Sequence, residues 1–131
     1  MPTTTDEARI AIDRYCAAWR GGDLVGLIEC YADDFALHYF GTSRFAGDHL
    51  GRDTALAVLA EVSAIAPREL VAIDEVLVGP TAAAIVVRER LTRDGATHEL
   101  RRVLRYRTRG DKLAECWLYD EDQALVDRLW A

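Results

Sequence analysis

Residues 14–41, RYCAAWRGGDLVGLIECYADDFALHYFG, decide how the rest of the chain is arranged. They read as the end of one helix, a double-glycine stop, a short second helix, an acidic turn and a strand. Ala8, Ile12, Tyr15, Cys16 and Trp19 recur at the spacing of a core-facing helical stripe, while Asp13, Arg14 and Arg20 fall on the other side. Gly21-Gly22 supplies the backbone freedom that ends a helix, and Asp23 is placed to cap the next. Leu24, Leu27, Ile28 and Tyr31 form the second helix's apolar side. A strand over residues 35–40 then has to pack beside both helices.

Working outward, Thr4-x-x-Glu7 has the form of a capping box opening the first helix. Residues 43–51 read as a glycine-containing loop. Asp53 or Thr54 starts a third helix with Leu56, Leu59, Val62 and Ser63 along one side, and Pro67 stops it. Beyond Leu70 the hydrophobic period becomes that of strands. Residues 70–78 end at Gly79-Pro80, and residues 82–92 and 97–108 flank Asp94-Gly95, the strongest short hairpin signal. Gly110-Asp111 turns the chain into a strand over 113–119, and 122–130 reads as a closing helix with Leu125 and Leu129 on one side. Helices first and a meander afterwards predict an α+β fold, with helices on one face of a curved, mainly antiparallel sheet. Residues 1–131 read as one domain without repeat or linker.

A net charge of −6 argues against nucleic acid or an anionic membrane as partner, since both reward a basic face. Hydrophobic residues at 50% and charged residues at 29% are a globular balance. No apolar run approaches a membrane span, and the opening Met1-Pro2-Thr-Thr-Thr-Asp-Glu is polar, so a cytoplasmic location is expected. Cys16, Cys30 and Cys116 are an odd, widely spaced set that reads as small buried hydrophobes. His38, His49 and His98 lack metal-ligand spacing, so no metal is expected.

The hairpin allows the inner face to be deduced. A two-residue loop at Asp94-Gly95 pairs Leu91 with His98, Glu89 with Leu100 and Val87 with Arg102. One face then carries Val87, Glu89, Leu91, His98, Leu100, Arg102, Leu104 and Tyr106. The other carries Arg88, Arg90, Arg101, Val103, Arg105 and Arg107. A row of arginines costs far less in water than in a core, so Glu89, Arg102 and Tyr106 are placed inward. Glu89 and Arg102 are either a catalytic carboxylate with its arginine clamp or an inert ion pair at the sheet rim.

The helix ending Trp-x-Gly-Gly-Asp-Leu, the run Tyr-Ala-Asp-Asp-Phe, Gly47 to Asp53 and the closing Glu115-Cys-Trp-Leu-Tyr-Asp-Glu-Asp-Gln together resemble a nuclear transport factor 2-like domain. More narrowly they resemble its SnoaL-like and ketosteroid-isomerase-like branch. The resemblance covers essentially the whole chain and implies a cystatin-like cone of sheet and helices around a cavity. It also implies a homodimer, expected through the outer sheet face or the closing helix, where Leu129 and Trp130 stand. Acidic groups of the second subunit are expected to meet the outward arginines.

The same resemblance assigns candidate roles. Tyr15 matches the tyrosine that donates a hydrogen bond in ketosteroid isomerases, or it is a core ring. That family's catalytic acids are missing at His38-Tyr39 and at Leu104, which argues against steroid isomerisation by its mechanism. His38 is either a proton carrier or a structural histidine pointing away from the cavity. SnoaL-like cyclases carry an acid on the last strand near a tryptophan, the positions of Asp120 and Trp117 here. Asp120 is thus a candidate base or a helix cap. After a two-residue turn Glu115, Trp117 and Tyr119 face inward, and after a longer one Cys116, Leu118 and Asp120 do. Trp19, Phe35, Tyr39, Leu59, Leu104, Tyr106 and Trp117 are expected to line the cavity around a small apolar or polycyclic molecule, with a dimer contact as the alternative for Trp117. The expected activity is proton transfer without metal or cofactor, as in an isomerase, cyclase, dehydratase or epoxide hydrolase. The alternative is a non-catalytic binding or dimeric accessory protein of the same fold.

Overall fold

A computed structural model describes residues 4–131; Met1 to Thr3, part of the polar opening, lie outside the described residues. The helix α1 (Thr5–Arg20) starts where Thr4 Oγ1 accepts the Glu7 amide at 3.1 Å. Its stripe of Ala8, Ile12, Tyr15 and Cys16 is buried. It ends where Gly22 takes φ 64° and the Asp23 amide donates to Ala18 O at 2.9 Å, a turn that glycine enters without strain. Asp23 caps the short α2 (Leu24–Glu29) by accepting from the Gly26 amide. Leu24 and Val25 of that helix stand 68% and 67% exposed, so its apolar side is carried by Leu27 and Ile28 instead.

The strand β1 runs over Tyr31–Tyr39 and so begins earlier than the sequence implies. Tyr-Ala-Asp-Asp is its first half rather than a turn. A register irregularity between Tyr31 and Ala36 lets Asp33 and Asp34 stand in solvent while Tyr31, Ala32 and Phe35 stay buried. Part of the expected loop is a short strand, β2 (Gly47–Leu50), antiparallel to β1. The helix α3 (Arg52–Ile65) follows, burying Ala55, Val58 and Val62. Then come β3 (Arg68–Val78), β4 (Ala82–Arg93), β5 (Ala96–Arg109), β6 (Lys112–Asp120) and α4 (Gln123–Leu129). The order across the six-stranded sheet is β2-β1-β6-β5-β4-β3, with β1 and β6 parallel and the other pairs antiparallel. This is the α+β arrangement expected, with α1 packed against β3 to β6 and α3 against β1 and β2.

The hairpin register is as deduced: Leu91 opposes His98, Glu89 opposes Leu100 and Val87 opposes Arg102. Asp94 and Gly95, at φ 53° and 80°, make the tight turn that sets it. The next hairpin holds a less legible feature. Arg109 opposes Lys112 and Thr108 opposes Leu113, but Arg107 opposes Glu115. Ala114 is therefore an extra residue in β6, a bulge that reverses which face the following side chains take. Cys116, Leu118 and Asp120 turn inward, although the turn itself is the short one.

One expectation about the surface is overturned. Leu129 and Trp130 are buried at 7% and 2% exposure within their own chain, where Trp130 packs on Tyr39 and Phe45, so they offer no contact to a second subunit. The outward arginines meet acids of this same chain: Arg88 on Asp74, Arg107 on Glu115, and Arg101 near Glu121. No described helix is long and apolar enough to cross a membrane.

Candidate functional site

The inner sheet face and the helices enclose a cavity of about 70 Å³. Tyr15 and Trp19, one helical turn apart on α1, line it with Leu59 of α3. Phe35 and Tyr39 of β1 and Leu104 and Tyr106 of β5 contribute from the sheet. All of these are residues the sequence nominates. Drug-sized ligands usually occupy roughly 300–1,000 Å³. The polycyclic guest suggested by resemblance therefore exceeds the space between these walls as they stand.

At the sheet side lies a chain of charges. Glu89 on β4 and Arg102 on β5 are each 1% exposed. Arg102 Nη1 donates to Glu89 Oε1 at 3.3 Å, while its Nε and Nη2 donate to Asp120 Oδ1 and Oδ2 at 2.6 and 3.3 Å. Arg102 directly opposes Asp120 across β5 and β6 because of the Ala114 bulge. Its guanidinium also lies 5.4 Å from the centre of the Trp130 ring. Burial opposes a charged arginine here, but the Glu89 and Asp120 carboxylates outweigh it and hold its pKa above the ordinary value. Burial pushes the Asp120 carboxyl up despite Arg102. Glu89 Oε2 is buried and accepts no hydrogen bond among the described residues. An unsatisfied buried carboxylate oxygen costs about 1–3 kcal/mol or more, so this atom is poised to take a donor.

Glu89 and Arg102 both line the cavity; Asp120 stands behind them with both oxygens on Arg102. Tyr15 is tied into a hydroxyl cluster with Tyr31, at 3.4 Å, and with Tyr106. Burial pushes Tyr15 up to about 12, so its hydroxyl serves near neutral pH as a hydrogen-bond donor and not as a base. Burial likewise lifts the cavity thiol of Cys116 to about 12.

His38 and Trp117 do not line the cavity. Phe35, Leu37 and Tyr39 take the inner face of β1, so His38 alternates outward. The bulge turns Trp117 to the same outer face beside it. The two rings stack with centroids 5.0 Å apart, and Arg105 covers Trp117. His38 Nδ1 and Nε2 lie 2.6 Å from Asp48 and Glu115, a surface network remote from the cavity.

Sequence reasoning missed Arg68, at the first position of β3, which lines the cavity with Tyr31, Leu37 and Leu118. The available signal was its alternation with Leu70, obscured by the expectation that the strand begins at Leu70.

The SnoaL-like domain family matches residues 12–116. An uncharacterised protein of Mycobacterium tuberculosis is 28% identical over 130 residues, covering 97% of this chain and 99% of its own. A protein of unknown function with a cystatin-like fold from Xanthomonas campestris superposes with TM-score 0.85 at 22% identity, over 92% of this chain and 95% of that one. TerC, co-crystallised with polyporic acid, superposes with TM-score 0.80 at 19% identity, over 95% and 99% of the two chains.

Proposed function

The chain belongs to the SnoaL-like domain family, with a nuclear transport factor 2-like fold, and we propose that it moves a proton on a small, largely apolar molecule in the cavity. The observation that carries this reading is Glu89: one carboxylate oxygen fixed by Arg102, the other buried and unpartnered, on a residue lining an otherwise mainly apolar space. A carboxylate so held is aimed and still has a lone pair to receive a proton. Glu89 is the base, Arg102 orients it, and Asp120 positions Arg102 from behind. Tyr15 is placed to donate a hydrogen bond to an oxygen of the guest.

In such a site Glu89 takes a proton from carbon or oxygen of the substrate and becomes the neutral acid. Returning that proton to a different atom completes an isomerisation; the same base serves a cyclisation or a dehydration, or activates water against an epoxide. None of these steps asks for a metal or cofactor. Polyporic acid in TerC supports a small-molecule role for this fold. The test is a search for a co-purified molecule by mass spectrometry and as density in the cavity. A polar atom within hydrogen-bond distance of Glu89 Oε2 is expected; a ligand held only by apolar walls, away from Glu89, turns the reading to a binding protein.

A homodimer through the outer sheet face, a single domain over residues 1–131 and a cytoplasmic location complete the proposal. Phe40 and Tyr119, 43% and 42% exposed and tilted against each other with ring centroids 5.0 Å apart, are an unusual aromatic pair to leave in water. The three cysteines are free, which fits a reducing compartment. A monomer mass by light scattering at micromolar concentration removes the dimer. Two separate unfolding transitions remove the single domain, and recovery of the chain outside the cell removes the location.

A further inference from the structure

Two arginines flank Glu89, and only one of them is engaged. In the ladder Arg68 opposes Leu91, Leu70 opposes Glu89, Glu89 opposes Leu100, and Val87 opposes Arg102. Arg68 and Arg102 thus occupy diagonal positions on either side of Glu89 on the same face, within reach of a long side chain. Arg102 closes on Glu89 Oε1 at 3.3 Å. Arg68 lines the same cavity, and among the described residues its guanidinium makes no ion pair or hydrogen bond; burial opposes its charge, but Glu89 together with Tyr39, Tyr15 and Tyr31 holds its pKa above the ordinary value. Among the described residues, the cavity therefore contains an acceptor without a donor, Glu89 Oε2, and a cation without a direct acceptor, Arg68.

We propose that Arg68 is the oxygen-binding residue of this site. The cavity then takes a small neutral molecule with a carbonyl oxygen for Arg68 and, on the neighbouring atom, a donor or acidic hydrogen for Glu89 Oε2. Hydroxyketones and related α-substituted carbonyl compounds have this chemistry. The inference rests on Glu89 being the proton acceptor and adds the group opposite it. Charge balance favours a neutral guest. Arg68 and Arg102 formally cancel Glu89 and Asp120, and Tyr15 and Tyr39, both lifted to about 12 by burial, add no charge. An anionic guest adds a charge with no counter-ion in an enclosed space, which is costly. A volume of about 70 Å³ restricts the guest to a few heavy atoms unless the walls part.

The step balances. Glu89 Oε2 takes the hydrogen from the carbon beside the carbonyl, and the C–H electron pair forms the new carbon–carbon double bond. The carbonyl π pair moves to oxygen. Glu89 becomes neutral as the oxygen becomes an enolate, so total charge in the cavity is unchanged. The negative charge has moved from Glu89 to an atom beside Arg68, and a charge-assisted hydrogen bond strengthens as it arrives.

The probes are hydroxyacetone, acetate and cyclopentane, each titrated by NMR into the isotope-labelled full chain and its Arg68→Met and Glu89→Gln variants. Hydroxyacetone is expected to perturb Tyr106 and Leu118 and to bind about tenfold or more weakly in either variant, the loss of one hydrogen bond to a charged group. Cyclopentane is expected to bind all three proteins alike. If Arg68→Met does not fold, Arg68→Lys carries the test, because it keeps the charge and loses the planar fork; weaker hydroxyacetone binding is again expected. Tighter binding of acetate than of hydroxyacetone overturns the neutral-guest inference. Unchanged hydroxyacetone binding in the Arg68 variants overturns the role of Arg68. Either result leaves the assignment of Glu89 standing, since that is read from proton exchange in the Glu89→Gln variant. Entry of none of the probes, cyclopentane included, overturns both.

Discussion

Arg102 and Asp120 face each other directly across β5 and β6, with Nε 2.6 Å from Oδ1, because β6 carries one more residue than its partner at Ala114. Were Ala114 instead paired with Arg107 in a regular ladder, Asp120 would face outward and Glu115, Trp117 and Tyr119 would lie against the helices. Deletion of Ala114 removes the bulge but keeps Arg107 opposite Glu115 and Arg102 opposite Asp120, so the variant is expected to retain a cooperative unfolding transition measured by near-UV circular dichroism. A deletion variant without a cooperative transition contradicts this account of the bulge.

The buried charges act as one unit. Removing Arg102 alone leaves two carboxylates uncompensated, so Arg102→Met is expected to cost about 3–5 kcal/mol. Glu89→Gln costs less, since the amide oxygen still accepts from Arg102. The double variant is expected to depart from the sum of the singles by about 0.5–3 kcal/mol in urea unfolding. Strict additivity means that the two side chains do not interact.

Asp120 gives the protein a signature in acid. Burial raises its folded pKa above the unfolded value, so the folded state holds this proton more tightly. The stability it contributes is fully present below the unfolded value, about 3.9, and is lost as pH rises through the raised one. Asp120→Asn lacks that titration. Its deficit relative to the parent should be largest at the acid end and shrink with rising pH, read from urea midpoints at several pH values. A deficit that grows with pH contradicts the raised value.

Burial also keeps the inner tyrosines protonated in alkali. Tyr15 and Tyr39 are lifted to about 12, and Tyr31 and Tyr106 well above their ordinary value. Their contribution is intact below about 10, the unfolded value, and is lost as pH rises through the folded values. Tyrosinate absorbance at about pH 11 is expected to rise several-fold when urea unfolds the chain. Equal absorbance before and after unfolding would show these hydroxyls to be in contact with water.

Much of the site was legible because Asp94-Gly95 ties two long strands in one register. Counting from that turn puts Glu89, Arg102, Leu104 and Tyr106 on the face away from the outer arginines. No comparable signal marks Ala114, an ordinary apolar residue between Leu113 and Glu115, so the facing of Trp117 and Asp120 stayed open. Tyr-Ala-Asp-Asp misled for a related reason: turn-forming acids sit in a strand whose irregularity at Tyr31 to Ala36 points them to water. Arg68 escaped notice because it directly follows Pro67, where a helix end was expected and a strand in fact begins.

The central claim is that Glu89 takes a proton from a molecule in the cavity. Its most direct test is the exchange of hydrogens beside the carbonyl of hydroxyacetone with deuterated water, followed by NMR with parent and Glu89→Gln proteins. The parent is expected to accelerate exchange over the buffer rate by about a hundredfold or more, and Glu89→Gln to lose nearly all of that acceleration. Equal exchange by the two proteins, with hydroxyacetone shown to be bound by both, contradicts the claim.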